Sequence, residues 1–556
     1  MRRSTIPVLL LAVLSFFGGL GRGAITDTDE AFYAESAREM VESGDWLTPH
    51  FNYEPRFQKP ILYYWLTAAT FLATGPNEFA ARFWAAMSGL GLVLITTACG
   101  RRWFDETIGI LAGAIAATSF GYFALARMSL PDLPLTFFIT LSIWAALVAT
   151  LDREREPRRW LLLAAAAAAL GFLTKGPLGV IIPALVIAPV LLIERRSFDL
   201  ELPDLALAVL LFLAIATPWY VAMWWQHGPA YLEAFFIGDN YERFATSRFN
   251  DPRPFWFYLP VIIGGLVPWT ALAVVWVGPF WQTIVRRRSV STINLRLLLW
   301  LFLPLIFFTL SIGKQPRYIL PALPPLALLL AGSIIERTRE WRSLEGSRVR
   351  SRPNPAVVSG TVLGGAFLIA LGAMLYRARV VLLNIPEAAI VAVAVVSALG
   401  GIVVVLVSLS RAWRDAAGAL AIAAAFTFAV LPYGVMTSPE SSAVNDMAGL
   451  VRASRSEGES IGTYQVFVRN LVFYTRSKHT DLIHDEHIKE WLGKNPRALI
   501  VMPAAEADRL ERDQGLKMTR LAERLYFDEG GFRARVLLQP DRGRDLQRVV
   551  LVRVGG

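Results

Sequence analysis

One cysteine in 556 residues, Cys99 within an apolar run, excludes a disulfide framework and a thiolate metal cluster. Charge is scarce as well. Asp, Glu, Lys and Arg make up 18% of the chain against 54% hydrophobic residues, and mean hydropathy is +0.45, a balance that does not fit a soluble protein of this length. No internal repeat divides the chain. What is abundant is apolar sequence in long runs, so a polytopic α-helical membrane protein is expected, stabilised by helix packing in lipid. Lys and Arg number 55 against 45 Asp and Glu, a net charge of +10. In a soluble protein that surplus suggests nucleic acid; here its distribution follows membrane topology, and no nucleic-acid partner is expected.

Apolar stretches able to cross a bilayer core, at about 20 residues each, number about thirteen. They begin near residues 5, 79, 107, 133, 160, 177, 203, 255, 295, 318, 355, 388 and 415. The first follows Arg2 and Arg3 and has no small-residue cleavage site after it, so it reads as a retained anchor. With the N-terminus in the cytoplasm, the cytoplasmic loops carry Arg101 and Arg102; Arg153, Arg155, Arg158 and Arg159; Arg195 and Arg196; Arg286 to Arg288; and the cluster from Arg337 to Arg352. That is the positive-inside pattern. The opposite loops hold Asp27, Asp29, Glu30, Lys59, Asp132, Lys175, Asp239, Lys314 and Arg317 among Trp, Tyr and His. Ionisable groups gathered at a membrane face without a topological reason are a functional signal.

An odd number of spans places everything after about Met436 on the outer side too. There the apolar runs shorten and alternate with charge, which predicts a small soluble α/β domain over residues 437–556 behind a transmembrane domain over residues 1–436. Its expected strands are Ser460–Tyr464, Ala498–Met502, Arg535–Leu538 and Val549–Val552, with helices at Arg469–Arg476, Asp485–Leu492 and Pro503–Asp513. Linkers are expected at Glu345–Pro355 and Thr437–Ser442. His484 and His487 share a helical face but have no third ligand nearby, so Asp485 is expected as a helix cap instead of a zinc site.

The first outer loop is the densest in chemistry. From Ile25 to Met40 the periodicity is helical, with Ala31, Ala34, Ala37 and Met40 on one face and Asp29 and Glu30 at the start. Capping and the helix dipole explain one acid there. They do not explain Asp27, Asp29 and Glu30 together, directly after a span and ahead of an aromatic-rich loop from Trp46 to Phe57 and the run Gln58-Lys59-Pro60-Ile61-Leu62-Tyr63-Tyr64-Trp65.

The order Asp29-Glu-x-x-Tyr-Ala-x-x-Ala-Arg-Glu-Met40, then Gly44-Asp-Trp-Leu-Thr-Pro49, then Lys59-Pro-x-Leu-Tyr-Tyr-Trp65 resembles the first outer loop of the aminoarabinose transferase and protein O-mannosyltransferase superfamily. These are C-type glycosyltransferases that use polyprenyl-phosphate sugars. The likeness continues through Thr174 to Gly179, Pro218-Trp219, Phe235 to Phe244, Pro268-Trp269 and Lys314 to Pro321. It implies the C-type glycosyltransferase fold and transfer of a sugar from polyprenyl (undecaprenyl) phosphate to lipid A, another glycan or a protein. Transfer would take place on the periplasmic face of a bacterial inner membrane, with inversion at the anomeric carbon. Asp29 holds the place of the family's acid, and Glu30 and Asp132, the latter in Ser129-Leu-Pro-Asp-Leu-Pro134, join it as catalytic candidates.

A phosphate leaving group departs without strong acid help if cations neutralise it. Lys59, Lys175, Lys314 and Arg317 are the candidates, Arg suited to bidentate contact and Lys to point-charge contact. Tyr33, Tyr63 and Tyr318 are the aromatic candidates for substrate contact. A hydroxyl acceptor would pass its proton to Asp29. A phosphate acceptor is already an anion, and Asp29 would then position the sugar or a divalent metal ion, the one cofactor the residues suggest. The chain departs from the aminoarabinose enzymes at Phe32, where they have a basic residue, and at Gln58, where they have an acid. The segment from Trp224 to Phe244 would lie over the cavity. A lipid-linked sugar flippase or transporter also combines many spans with internal charge, and a scaffold for envelope enzymes is a third reading. Charge gathered at one face, with no repeat, favours the transferase.

Overall fold

A chain buried in lipid must satisfy its own backbone, and the helix does so within one segment. Helices begin within a turn of every expected start. In chain order they open with α1 (Ile6–Phe17), α2 (Asp29–Ser43), α3 (Leu62–Thr74), α4 (Glu78–Trp103), α5 (Glu106–Ala117), α6 (Phe120–Ala126), α7 (Asp132–Leu151), α8 (Pro157–Lys175), α9 (Leu178–Glu194) and α10 (Leu202–His227). Among the residues that the computed structural model describes, 3–151, 156–194, 201–247, 252–276, 290–343, 354–528 and 534–554, eight helices are long and apolar enough to cross a membrane. The number rises to ten if each bent pair is one span. The bent pairs are α5 with α6, at 54°, and Phe255–Gly265 with Trp269–Trp276, at 108°. Arg153, Arg155, Arg195, Arg196, Arg286 to Arg288 and most of the Glu345–Pro355 stretch lie outside the described residues.

Burial separates the centre of the bundle from its lipid face. The most apolar stretch of Pro316–Arg339 is 83% buried, whereas those of Leu202–His227 and Glu387–Leu409 are 22% and 28% buried. Helices Pro355–Ala378 and Glu387–Leu409 meet backbone to backbone at Gly365 and Gly401. A Cβ on Gly365 would stand 2.7 Å from the Gly401 carbonyl oxygen, so only the missing side chains permit this approach.

The two ends of the bundle differ as the loop charges require. At one end Arg101 donates to Thr5 Oγ1 at 2.7 Å, Arg339 pairs with Asp105 at 2.7 Å and Arg296 with Glu194 at 2.7 Å. The other end carries α2, the short hairpin β1 (His50–Phe51) and β2 (Glu54–Pro55), the segment after α10 and the 3-10 turn Pro316–Ala322.

Beyond Val435 the chain folds into a mixed five-stranded sheet of order β4-β3-β5-β7-β6. Its strands are β3 (Ser460–Thr463), β4 (Thr480–Asp481), β5 (Ala498–Pro503), β6 (Met518–Tyr526) and β7 (Gln547–Val554). β3 runs parallel to β4 and β5; β7 runs antiparallel to β5 and β6. The period-2 alternation sends Leu499, Val501, Val549 and Leu551 to one face, against Met447 and Val451 of helix Ala443–Ser454. It sends Ile500, Met502, Val550 and Val552 to the other, against Ile488 and Leu510. Three of the four expected strands are present. Arg535–Leu538 instead lies in a helix, Ala534–Leu538, and the strand in its stead is β6. That strand is at the sheet edge and interleaves Arg and Glu with Leu, the composition that discourages edge-to-edge pairing and also hides the alternation.

The C-terminal domain is fastened to the first loop. Asp27 accepts from the backbone N–H groups of Val468, Arg469 and Asn470 at 3.1, 2.6 and 3.2 Å. Asn52 and His479 exchange two hydrogen bonds, at 2.8 and 2.9 Å, and the Tyr474 hydroxyl donates to Glu78 at 2.7 Å.

Candidate active site

α2 brings the first acid to the mouth of the bundle. Its N-cap is Thr28, whose hydroxyl accepts from the Glu30 N–H, and Gly44 closes its C-terminus in the left-handed region. Capping is therefore not the role of Asp27, Asp29 or Glu30. Asp29 is the first helical residue, its side chain 40% exposed, and it takes an ion pair from Arg317, which stands in the 3-10 turn Pro316–Ala322. Burial would lift the Asp29 carboxyl, but Arg317 beside it, with Arg243 and Arg469 further off, holds it below the usual carboxylate range.

Arg317 also reaches toward Asp132 at the start of α7, its Nε lying 3.4 Å from Oδ2 and making no hydrogen bond. Asp132 is 5% exposed and accepts from Lys175 Nζ at 2.5 Å. Lys175 ends α8 and lies 4.9 Å from the centroid of the Tyr318 ring. The next residue, Gly176, has φ +79°, and a Cβ there would stand 2.4 Å from the Phe235 ring. Glycine is what lets the chain turn into α9 while Lys175 faces inward.

The second half of the cluster comes from the turn after α10, a π-helical segment Glu233–Glu242. Its Asp239, 3% exposed, pairs with Lys59 and accepts from Arg243 at 2.6 Å. Lys59, Lys175, Asp239, Arg243 and Tyr318 line a cavity of ≈ 60 Å³. Four cations thus face three carboxylates, Asp29, Asp132 and Asp239. The surplus positive charge suits an anionic ligand, and the buried Arg317 Nε is a donor open to one.

The remaining sequence candidates fall outside this cluster. Glu30, fully buried, is bidentate to Arg82 at 2.8 and 3.2 Å and also accepts from the backbone of Thr26 and Ser129. Arg82 in turn donates to the carbonyls of Arg22, Gly23 and Ala24. Lys314 ties loop ends together, donating to the Ser311 and Arg253 carbonyls at 2.6 and 3.3 Å. Tyr33 stacks on Tyr64 and meets Tyr63 edge-on, and both Tyr33 and Tyr63 are buried in the wall beneath α2. Tyr318 alone of the three tyrosines lines the cavity.

The sequence places Asp239 among the ionisable residues of the outer face and the segment through Phe244 over the cavity, but neither Asp239 nor Arg243 stands among the site candidates. The signal that could have found them is an Asp and an Arg four residues apart within an aromatic, apolar turn. The His484 and His487 rings lie 5.6 Å apart with His484 itself at the cap position, and Asp485 is engaged by Arg509. Among the described residues no three His, Cys, Asp or Glu side chains converge as a metal site. Each acid of the cluster already faces a cation, so the donor set does not fit a divalent ion at Asp29.

A helical bundle with an ion-paired cavity at one end, an α2 lying outside the spans and a small C-terminal sheet domain define an integral membrane protein of the C-type glycosyltransferase fold. The solved structure of ArnT from Cupriavidus metallidurans bound to undecaprenyl phosphate shares that fold, with a TM-score of 0.72 at 23% identity over 99% of this chain and 97% of that one. The family of dolichyl-phosphate-mannose-protein mannosyltransferases matches residues 22–227. An undecaprenyl phosphate-alpha-4-amino-4-deoxy-L-arabinose arabinosyl transferase of Pseudomonas fluorescens is 36% identical over 356 residues, 63% of this chain and 59% of its own length. One from Pseudomonas aeruginosa is 36% identical over 380 residues, 67% and 66% respectively. The chain thus spans somewhat under two thirds of these relatives in the matched region. Over that region it is similar to members of the aminoarabinose transferase and protein O-mannosyltransferase superfamily.

Proposed function

We propose that the protein is a membrane glycosyltransferase that moves a sugar from a polyprenyl (undecaprenyl) phosphate donor to lipid A, another glycan or a protein, with inversion. The observation that carries this reading is the buried cluster in which four cations face three carboxylates at one end of an otherwise apolar bundle. Relatives named for undecaprenyl-phosphate-linked aminoarabinose, and the related fold bound to undecaprenyl phosphate, support the donor class. The basic residues at the opposite end support a cytoplasmic N-terminus and a periplasmic site. On that orientation residues 437–556 form a periplasmic domain behind the transmembrane domain of residues 1–436.

The lipid phosphate enters sideways from the bilayer and is met by Lys59, Lys175, Arg243 and Arg317, which stabilise its charge as the glycosidic bond breaks. Arg317 exchanges part of its pairing with Asp29 for the phosphate. The Asp29 carboxylate, held low while paired, regains basicity at that moment and accepts the proton of an incoming hydroxyl. Asp132 holds Lys175 and Arg317 in place, Asp239 does the same for Lys59 and Arg243, and Glu30 fixes the start of α2 through Arg82.

The test is Asp29→Asn, read by mass spectrometry of envelope lipids and glycoproteins from cells making equal amounts of either protein. Transfer is expected to fall about 10²–10⁴-fold. Near-normal transfer would reduce Asp29 to a structural partner of Arg317.

A further inference from the structure

One helical turn beyond Asp29, Phe32 has two guanidiniums against its ring. Arg56, from the first loop, has its Cζ 3.9 Å from the ring centroid, and Arg469, from the C-terminal domain, lies at 5.2 Å. Among the described residues neither has a carboxylate within ion-pair distance. The Arg56 side chain makes one long hydrogen bond, to the Tyr64 hydroxyl at 3.4 Å, and Arg469 is exposed. Every cation of the buried cluster, by contrast, is ion-paired.

Two like charges gathered on one aromatic ring repel each other, and stacking on the ring offsets only part of that cost. Contact with the ring holds both guanidiniums in place, and apart from the long Arg56 Nε–H bond to Tyr64 their N–H groups remain available to a planar or tetrahedral anion. Arg469 is held there by its backbone, since Asp27 accepts its N–H at 2.6 Å along with those of Val468 and Asn470. The pair is thus built from two parts of the chain that are clamped together. It lies on the side of Asp29 that faces the C-terminal domain, whereas Arg317 and the cavity lie within the bundle.

We propose that Arg56, Phe32 and Arg469 form a subsite for a phosphate group on the acceptor, placing the acceptor one helical turn from Asp29. Assigning that phosphate to the acceptor rests on the transferase reading above; the anion site itself does not. It also gives the C-terminal domain a direct part in substrate choice, through one side chain.

The test labels the full-length protein in detergent with phenylglyoxal and follows each arginine by peptide mass spectrometry, with inorganic phosphate as the probe. Phosphate is expected to slow labelling of Arg56 and Arg469 at least about threefold, and Arg469→Ala to raise the phosphate needed to protect Arg56 about 10-fold. Chloride at matched ionic strength should protect neither residue. Equal labelling in phosphate and chloride would overturn the site. Protection of the pair by undecaprenyl phosphate as strong as that by phosphate would overturn the assignment to the acceptor and give both arginines to the donor. Arg469→Lys, which keeps the charge and the fold, should retain partial protection. Because the readout is labelling, a protein that transfers no sugar would sink the transferase reading while leaving the anion site to stand on its own result.

Discussion

Two ionic networks in this protein use the same residue types to opposite effect. At the mouth of the bundle, Asp132 and Asp239 are 5% and 3% exposed, cations outnumber acids, and the Arg317 Nε is buried without a hydrogen bond. In the C-terminal domain, Asp485 and Arg509 are 33% and 34% exposed. Asp485 accepts from Arg509, from Tyr464 at 2.8 Å and from Gln514 at 3.2 Å, and Glu506 closes the set on Arg509. The second network is wet, and each of its charges is ion-paired, one arginine between two acids. The first is dry at Asp132 and Asp239, opens to solvent among its acids only at Asp29, and carries one cation more than it has acids. A dry network with surplus charge is costly to fold, and a ligand of the missing sign is what restores its balance.

The comparison is sharpest where a pair is both dry and complete, as at Glu30 and Arg82. Glu30→Ala leaves the Arg82 guanidinium buried with only carbonyls for partners and should cost about 3–5 kcal/mol. Thermal unfolding in detergent reads this directly, and Arg82→Met in the same chain should recover part of the loss. An unchanged melting temperature for Glu30→Ala would remove Glu30 from the scaffold. In the open network the effect should appear in turnover instead. Arg317→Ala is expected to lower kcat/KM about 100-fold with little change in melting, and Arg317→Lys to lower it less. Equal losses in the two variants would show that the planar fork of Arg317 is not what the donor uses.

How far these networks could be read from sequence depends on what makes each contact. Asp29, Lys59, Asp132, Lys175 and Arg317 are legible because an ionisable residue in an apolar surrounding needs a reason, and the loop pattern puts all five at one end. Glu30 satisfies the same criterion, and its carboxylate is bidentate to Arg82 instead of facing the cavity. Burial alone cannot tell an acid with a permanent partner from one awaiting a substrate. Asp239 and Arg243 form a local pair four residues apart on a π-helical turn, but the approach of Asp239 to Lys59 is a tertiary event that this spacing does not announce. The helix starts followed from hydropathy, but the bends within Glu106–Ala126 and Phe255–Trp276 reflect packing. In the tail, β5 and β7 are buried on both faces and read plainly; β6, a charged edge, did not, and Arg535–Leu538 is too short for periodicity to separate strand from helix.

A third group on α2 lies between the two extremes. Glu39 is 2% exposed and accepts from the Tyr53 N–H at 2.9 Å, while its Oε1 is buried without a hydrogen bond. Glu35, one turn earlier, is taken by Arg38 at 2.7 Å through both oxygens. Burial first, and Glu35 second, push the Glu39 carboxyl up to about 8. The folded protein therefore keeps a proton that the unfolded chain releases above about 4.5, and stability should fall as pH rises from there through about 8. Glu39→Gln, a neutral isostere, should flatten that slope in melting experiments between pH 5 and 8. A slope equal to that of the unsubstituted protein would place the proton elsewhere.

The smallest effect is expected in the wet network. Arg509 and Tyr464 hold the Asp485 carboxyl down to about 2, so its contribution is fully present above the ordinary carboxylate value of 3.8 and lost as pH falls through about 2. Both partners are a third exposed, and solvent screens most of what the geometry suggests. Asp485→Asn should lower the melting temperature of the full-length chain by no more than about 2 °C at neutral pH. Amide exchange in β3 and β5 should rise only slightly, and sugar transfer should be unaffected. A loss of transfer in Asp485→Asn, with the sheet still protected, would mean that the two networks are coupled through the joint where Asp27 grips residues 468–470. The division between a dry site and a wet scaffold would then fail at that joint.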